Sequence, residues 1–240
     1  DSTGNADKPA DLLPISFTVN GVDFEMAPIP GGKYQELDFM GEVTATHEIQ
    51  PFYMMTTGCT QALWAAVMGC NPSKDFGSGK CIGDNYPVNN VSWSDVAGDV
   101  DFNKTVYSSS FVAALNKLLG KNFRLTTRAE WMWAARGGDA ATLYSGTSNV
   151  DELADYAWYN INEDEFSGLH EVAGKRPNCF GLFDMTGNVC EYCVYNSVYG
   201  KHENTQCGCS IFAPGVLQIS IYGDGPCYGK ENGFRLVLSI

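Results

Sequence analysis

Asn178-Cys-Phe-Gly-Leu-Phe-Asp-Met-Thr-Gly-Asn-Val-Cys-Glu191 is the stretch from which the rest of this 240-residue chain is read. A turn at Gly187-Asn188 within it brings Asp184, Glu191 and several backbone carbonyls onto one small loop. Hard oxygen donors of that kind suit calcium, and an acidic turn closed by hydrogen bonds to its own amides accounts for the residues equally well. On either side of this loop, short apolar stretches alternate with Asn, Ser, Asp and Gly. With 26 Gly, 10 Pro and 12% aromatic residues, the chain suits a loop-rich fold rather than a helical bundle or a series of βαβ units.

The regular elements lie mainly before it. Ser16 to Glu25 reads as two alternating runs joined by Asn20-Gly21, a dipeptide that tolerates positive φ at both centres of a tight hairpin. Thr46 to Met55 reads as one further extended stretch. Thr60 caps a short helix over Gln61 to Met68, ended by Gly69 and Pro72. Ser94 is positioned to cap a second helix that Gly98 interrupts, and helical spacing resumes from Phe111 to Leu119. Thr127-Arg-Ala-Glu130 has capping-box spacing, and the helix it opens runs through Trp131 and Trp133 to Gly137-Gly138. Residues 1–14, small and polar, read as a flexible spacer, and residues 15–240 as one domain without repeat or linker.

Composition narrows the function classes. Fifteen basic residues against 28 acidic ones give a net charge of −13, which repels phosphate backbones and sets aside nucleic acid and anionic membranes as partners. No apolar run reaches the ~18 residues of a membrane span. The polar start at Asp1 suits a chain left after removal of a signal segment, so the expected location is extracytoplasmic: secreted or surface-displayed, with lipid anchoring through that signal an option. The nine cysteines (59, 70, 81, 179, 190, 193, 207, 209 and 227) are odd in number, which leaves one thiol free or bonded to another chain. Cys70 to Cys81 reads as a loop staple. Cys190-x-x-Cys193 with Cys207-x-Cys209 offers a four-thiolate zinc reading, against which the second pair is one residue short.

Common catalytic signatures are absent: no His-Glu-x-x-His, no Gly-x-Ser-x-Gly, no dinucleotide fingerprint, and Gly79-Lys80 lacks the phosphate-loop spacing. His47, His170 and His202 stand far apart, and Glu163-Asp-Glu165 reads as a solvated acidic run.

Taken in order, Pro87-Val-Asn-Asn-Val-Ser-Trp93, Arg124-Leu-Thr-Thr-Arg-Ala-Glu-Trp131 with Ala134-Ala-Arg-Gly-Gly138, Asn178 to Glu191, Gly208-Cys-Ser210 and Gly233-Phe-Arg-Leu236 resemble the formylglycine-generating enzyme family over about residues 22 to 240. The resemblance implies an α+β, C-type-lectin-like fold, loop-rich, with a small twisted antiparallel sheet and two or three helices. It also implies a structural calcium held by the side chains of Asp184 and Glu191 and the carbonyls of Gly187 and Val189. The family's enzymes oxidise a substrate cysteine with two thiols, about three and eight positions after the serine matched by Ser210, that bind copper. Here those positions hold Ala213 and Gln218. Neither supplies a thiolate, so no catalytic residue and no copper are expected; a family-like oxidoreductase with a relocated or different metal site is the alternative.

The departures cluster after Ser210: Ile211 stands where the family has an aromatic, and Ile219 and Gly223 where many members have Arg. That pattern resembles the variable proteins of diversity-generating retroelements, in which the segment before the last Gly-Phe-Arg is diversified. Alternation along Leu217, Ile219 and Ile221 buries one strand face and leaves Gln218, Ser220 and Tyr222 on the other. The expected ligand-binding segment, about 211–232, therefore presents Ile211, Phe212, Ala213, Pro214, Val216, Leu217, Gln218, Ser220, Tyr222, Asp224, Cys227 and Tyr228. Aromatic area with a few polar groups suits a non-catalytic receptor or adhesin that recognises a protein or glycan on another surface.

Overall fold

Asn20 and Gly21 both adopt positive φ, 48° and 83°, as a two-residue primed hairpin turn requires. They join β1 (Ile15–Val19) to β2 (Val22–Ile29), with Val19 paired to Val22. The computed structural model describes residues 12–37, 40, 42–75, 81–98, 110–159, 168–196, 202–208 and 232–240. In chain order these continue with β3 (Gly32–Leu37), β4 (Val43–Ile49), β5 (Phe52–Met55), α1 (Gln61–Met68), α2 (Trp93–Ala97), α3 (Phe111–Leu119), β6 (Phe123–Leu125) and α4 (Arg128–Ala135). They close with α5 (Leu153–Tyr156), β7 (Cys190–Asn196), β8 (His202–Cys207), β9 (Asn232–Gly233) and β10 (Leu236–Ser239).

The main sheet has the order β1-β2-β5-β10-β6, antiparallel throughout. The last strand of the chain therefore lies between β5 and β6 near its middle, so the sheet is complete only when the C-terminus is in place. Both faces are covered. Met26, Met55 and Leu236 pack with Leu63 of α1, Phe111 and Leu115 of α3, and Phe234. The alternate residues Ala27, Ile29, Phe52, Met54 and Val237 pack with Trp131 and Met132 of α4. This is the period-two alternation of a strand with an apolar layer on each side. Trp64 stacks on Phe111 at 5.1 Å between centroids, and Phe111 meets Phe234 edge-on at 5.1 Å.

Local chemistry explains the helix starts. Thr60 accepts from the Leu63 amide, and Gly69 closes α1 in the left-handed region at φ 77°. Thr127 accepts from the Glu130 amide while Glu130 accepts from the Thr127 amide at 2.8 Å, so the capping box is formed. Arg124 then holds the Glu130 carboxylate at 2.6 Å. Burial would raise the Glu130 pKa, but the Arg124 contacts and the Thr127 amide outweigh it and hold the group below its ordinary value.

Three expectations change. The cap of α2 is Ser92, not Ser94: Ser92 Oγ accepts from the Asp95 amide and Asp95 accepts from the Ser92 amide at 2.8 Å, a reciprocal pair that Ser94 has no acidic partner three residues on to form. The extended stretch from Thr46 is two strands in different sheets, because Pro51 cannot donate and breaks the ladder between β4, which pairs with β3, and β5. Among the described residues there are five short α-helices where two or three were expected, and α5, only four residues long, has too little periodicity to be read. The C-type-lectin-like α+β architecture is otherwise as expected.

Candidate functional site

A second, three-stranded sheet of order β8-β7-β9 carries the loop from which the sequence was read. In it Glu191 is paired with Cys207 of β8 on one side and with Gly233 of β9 on the other. Along the chain the segment expected to bind ligand falls between these two flanking strands, and Glu191 sits between them. The segment's own predicted residues, Ile211, Phe212, Ala213, Pro214, Val216, Leu217, Gln218, Ser220, Tyr222, Asp224, Cys227 and Tyr228, lie outside the described residues, as do Glu163-Asp-Glu165 and the first eleven residues.

Glu191 is 1% exposed and Arg235 0%. Arg235 Nε donates to both carboxylate oxygens at 2.9 and 2.7 Å, Nη2 donates to Oε1 at 2.6 Å, and Trp131 Nε1 donates to Oε2 at 2.7 Å. The remaining guanidinium hydrogens reach the carbonyls of Phe183 at 2.9 Å, Met55 at 3.3 Å and Thr56 at 3.4 Å. A charge buried this deeply is tolerable only when paired and fully hydrogen-bonded. This pair is, and it ties β5, α4, the 178–191 loop and β7 to the start of β10.

The loop itself is pinned from outside. Asp184 sits at φ 56° and Asn188 at φ 61°. Asn188 donates to the His170 carbonyl at 3.2 Å and accepts from the His170 amide at 3.1 Å. A Cβ on Gly187 would stand 1.9 Å from the Trp158 carbonyl oxygen, so glycine is required there both for φ 81° and for close approach. Asp184 accepts from the Ala173 amide at 2.8 Å through Oδ2, while its Oδ1 is buried without a hydrogen-bond partner. Burial dominates its titration: despite the Ala173 amide and Arg235, its pKa is raised to about 6, with Glu191 adding to the rise.

Asp184, Gly187, Val189 and Glu191 do not fit the calcium shell that the resemblance implies. A carboxylate has about four lone-pair sites, and those of Glu191 are taken by Arg235 and Trp131, with a guanidinium at 2.6 Å where a divalent cation would need to approach. Asp184 Oδ1 keeps a free acceptor, but one carboxylate oxygen is a small part of a six- to eight-oxygen shell. The turn is closed by hydrogen bonds to amides, though to those of the 170–173 loop rather than its own.

The cysteine expectations are also revised. Cys70 and Cys81 are separate thiols, the first exposed and the second buried with the Leu169 amide donating to its sulfur at 3.5 Å. Cys190 and Cys193 are three apart on a strand and so point to opposite faces, which prevents the Cys-x-x-Cys convergence zinc needs. Among the described residues no group of three or more His, Cys, Asp or Glu side chains could hold a metal ion. A groove of about 790 Å³ opens between β4 and the start of α4. In its lining Arg128 meets Glu36, Glu36 meets His47 at 3.2 Å and Arg124 meets Glu130, while Glu48 pairs with Lys33 at 3.3 Å.

Two partners of the site went unrecognised in the sequence: Arg235 and Trp131. The signal for the first is an arginine within the otherwise apolar run Phe234 to Leu238, which calls for a buried counter-charge. Asn178 has a supporting role, donating to the Ala134 and Ala135 carbonyls at 2.9 and 3.3 Å at the end of α4.

Residues 17–240 match the family described as sulfatase-modifying factor enzyme 1-like domain. The chain is 29% identical over 236 residues to the chaperone protein LppX of Paenibacillus barcinonensis, covering 80% of this chain and 81% of that protein. It is 31% identical over 142 residues to the formylglycine-generating enzyme of Thermomonospora curvata, covering 55% of this chain and 41% of that one. Among solved structures, Treponema denticola variable protein 1 superposes with a TM-score of 0.60 at 26% identity, over 96% of this chain and all of that one.

Proposed function

We propose, for a chain that belongs to the sulfatase-modifying factor enzyme 1-like family, a non-catalytic role: a rigid frame presents residues 211–232 to a protein or glycan on another cell or surface. The observation that carries this reading is a mismatch between frame and chemistry. The buried Glu191–Arg235 pair and the paired strands that anchor both ends of the segment are intact. The positions that match the family enzymes' copper-binding thiols hold Ala213 and Gln218, and neither side chain binds a soft metal or carries a redox step. Likeness to a variable protein over nearly the whole chain supports the same conclusion.

A relocated active site would need thiols that a substrate can reach. Cys193 and Cys207 share one core cluster with α4 and are 0% and 3% exposed. No helix of the described residues is long and apolar enough to cross a membrane.

Copper(I) titration combined with turnover of a cysteine-containing peptide tests the reading. The expected result is no stoichiometric copper and no aldehyde product, and turnover comparable to the family's enzymes would reject it. In parallel, labelled protein and the triple variant Phe212→Ser, Tyr222→Ser, Tyr228→Ser are compared on a glycan array and on intact cells. Binding that the triple variant loses, with its melting temperature unchanged, is the expected outcome.

A further inference from the structure

Residues 232–240 make their contacts with parts of the chain far from them in sequence. Leu236, Val237 and Leu238 pair with Leu125, Arg124 and Phe123 of β6, while Val237, Leu238 and Ser239 pair with Met54, Tyr53 and Phe52 of β5, so both edges of β10 are occupied. Asn232 and Gly233 pair in parallel with Cys190 and Glu191 of β7, and between the two strands the Phe234 carbonyl accepts from the Cys59 amide at 2.8 Å. Side chains alternate in direction. Phe234 and Leu236, both 0% exposed, enter the cluster with Trp64 and Phe111, and Val237, also 0% exposed, enters the one with Met54 and Trp131. Arg235 fills a pocket of its own, its hydrogen bonds divided among Glu191 and the carbonyls of Phe183, Met55 and Thr56. A Cβ on Gly233 would stand 3.0 Å from the Val88 carbonyl oxygen and 3.1 Å from Val189 Cγ2, so bulk is disfavoured at that position. All of these partners precede residue 209.

We propose that the slot formed by β5, β6 and β7 is a binding site for an extended apolar peptide carrying one arginine, filled here by the chain's own C-terminal strand, and that it retains residues 232–240 when the connection through residues 209–231 is cut. In strand addition, main-chain pairing supplies affinity and pockets for alternate side chains supply specificity. Both are in place here. The arginine is the discriminating group, because its planar fork meets both Glu191 oxygens and three carbonyls at once, which the ammonium of a lysine cannot match. The covalent connection raises the local concentration of the strand at its slot and is not needed to form the contacts. The proposal does not depend on what residues 211–232 bind.

The test uses the full chain. A recognition sequence for a site-specific protease is inserted after Pro214 in one variant and after Gly223 in a second, and the uncut variants should keep the wild-type far-ultraviolet circular dichroism. After cleavage at micromolar concentration, the two fragments should run together on size exclusion in native buffer and apart in denaturant. The melting temperature should then fall on dilution, as mass action requires of two pieces held without a covalent link. In urea just below the unfolding midpoint, where exchange is fast, a labelled synthetic peptide of residues 232–240 should replace the cleaved fragment. Its Arg235→Lys counterpart should need at least about tenfold more to take the same share of the slot.

Fragments that separate in native buffer, or a frame that unfolds on cutting, would overturn the proposal. So would failure of both insertion variants to fold uncut, absence of peptide uptake, or equal uptake of the lysine peptide.

Discussion

Replacing Glu191 with Gln removes one charge while keeping the shape of the side chain, and the structure gives the cost. Arg235 would keep its charge at 0% exposure, with only the three carbonyls of Phe183, Met55 and Thr56 to solvate it. The new amide can accept through one oxygen, but its NH2 must face the Arg235 N–H groups or the Trp131 Nε1–H, which sets donor against donor. Breaking a buried pair from one side costs about 3–5 kcal/mol, which for a chain of this size lowers the melting temperature by roughly 6–20 °C. Urea unfolding followed by far-ultraviolet circular dichroism gives the free energy, and calorimetry gives the temperature. The double variant Glu191→Gln, Arg235→Met should recover at least about 1 kcal/mol of the loss, because no orphan charge remains. Measurements run in calcium and in chelator separate the two roles considered for Glu191. With the carboxylate committed to Arg235, wild-type stability is the same in both and the variant's loss is equal in both. A loss below about 1 kcal/mol in chelator, or one that appears only when calcium is present, would refute the assignment of Glu191 to the ion pair.

Three further outcomes follow from the same geometry. Asp184 has a native pKa of about 6 against 3.8 for the free side chain, so the native state binds the proton more tightly. Its ionisation cost is absent below pH 3.8, grows as pH rises, and is complete above pH 6, reaching at most about 3 kcal/mol. Asp184→Asn, which tolerates the left-handed backbone, is therefore expected to be more stable than wild type by about 1–2 kcal/mol at pH 8, with the gain vanishing as pH falls toward 4; a gain independent of pH would contradict the buried charge. Thr127→Ala deletes the cap of α4 and should cost about 1 kcal/mol, with the remaining pairing of Glu130 to Arg124 visible as a salt-dependent part of the stability. Gly187→Ala forces the Trp158 carbonyl away from the loop and should cost more than about 2 kcal/mol; the change in indole fluorescence should accompany it, and a neutral substitution would mean the loop does not seat against residue 158.

Local signals in the sequence were enough for the elements whose physics is local. The Asn20-Gly21 hairpin, the Thr60 cap with its Gly69 stop, and the Thr127–Glu130 box all form as read, because each depends on residues within four positions of one another. The ordered set of motifs was enough for the family and the α+β architecture. Where a choice lay between two neighbours, as with Ser92 and Ser94, the correct one was the residue with an acidic partner three positions on.

What the sequence could not settle was which distant groups would meet. Asp184 and Glu191, seven residues apart on one acidic turn, read as joint ligands for one cation. In the fold Glu191 finds Arg235, 44 residues away, and Trp131, 60 away, because β10 threads into the middle of the main sheet and carries the guanidinium under β7. Likewise Cys190 and Cys193 are neighbours in sequence and lie on opposite faces of a strand, while Cys193 and Cys207, fourteen residues apart, enter the same core cluster because the register of two strands turns them to one face. The chain's short-range chemistry fixed its turns, caps and lineage. Charge pairing awaited strand order and register, since a buried group takes whichever partner the packing delivers, and that partner is rarely close along the chain.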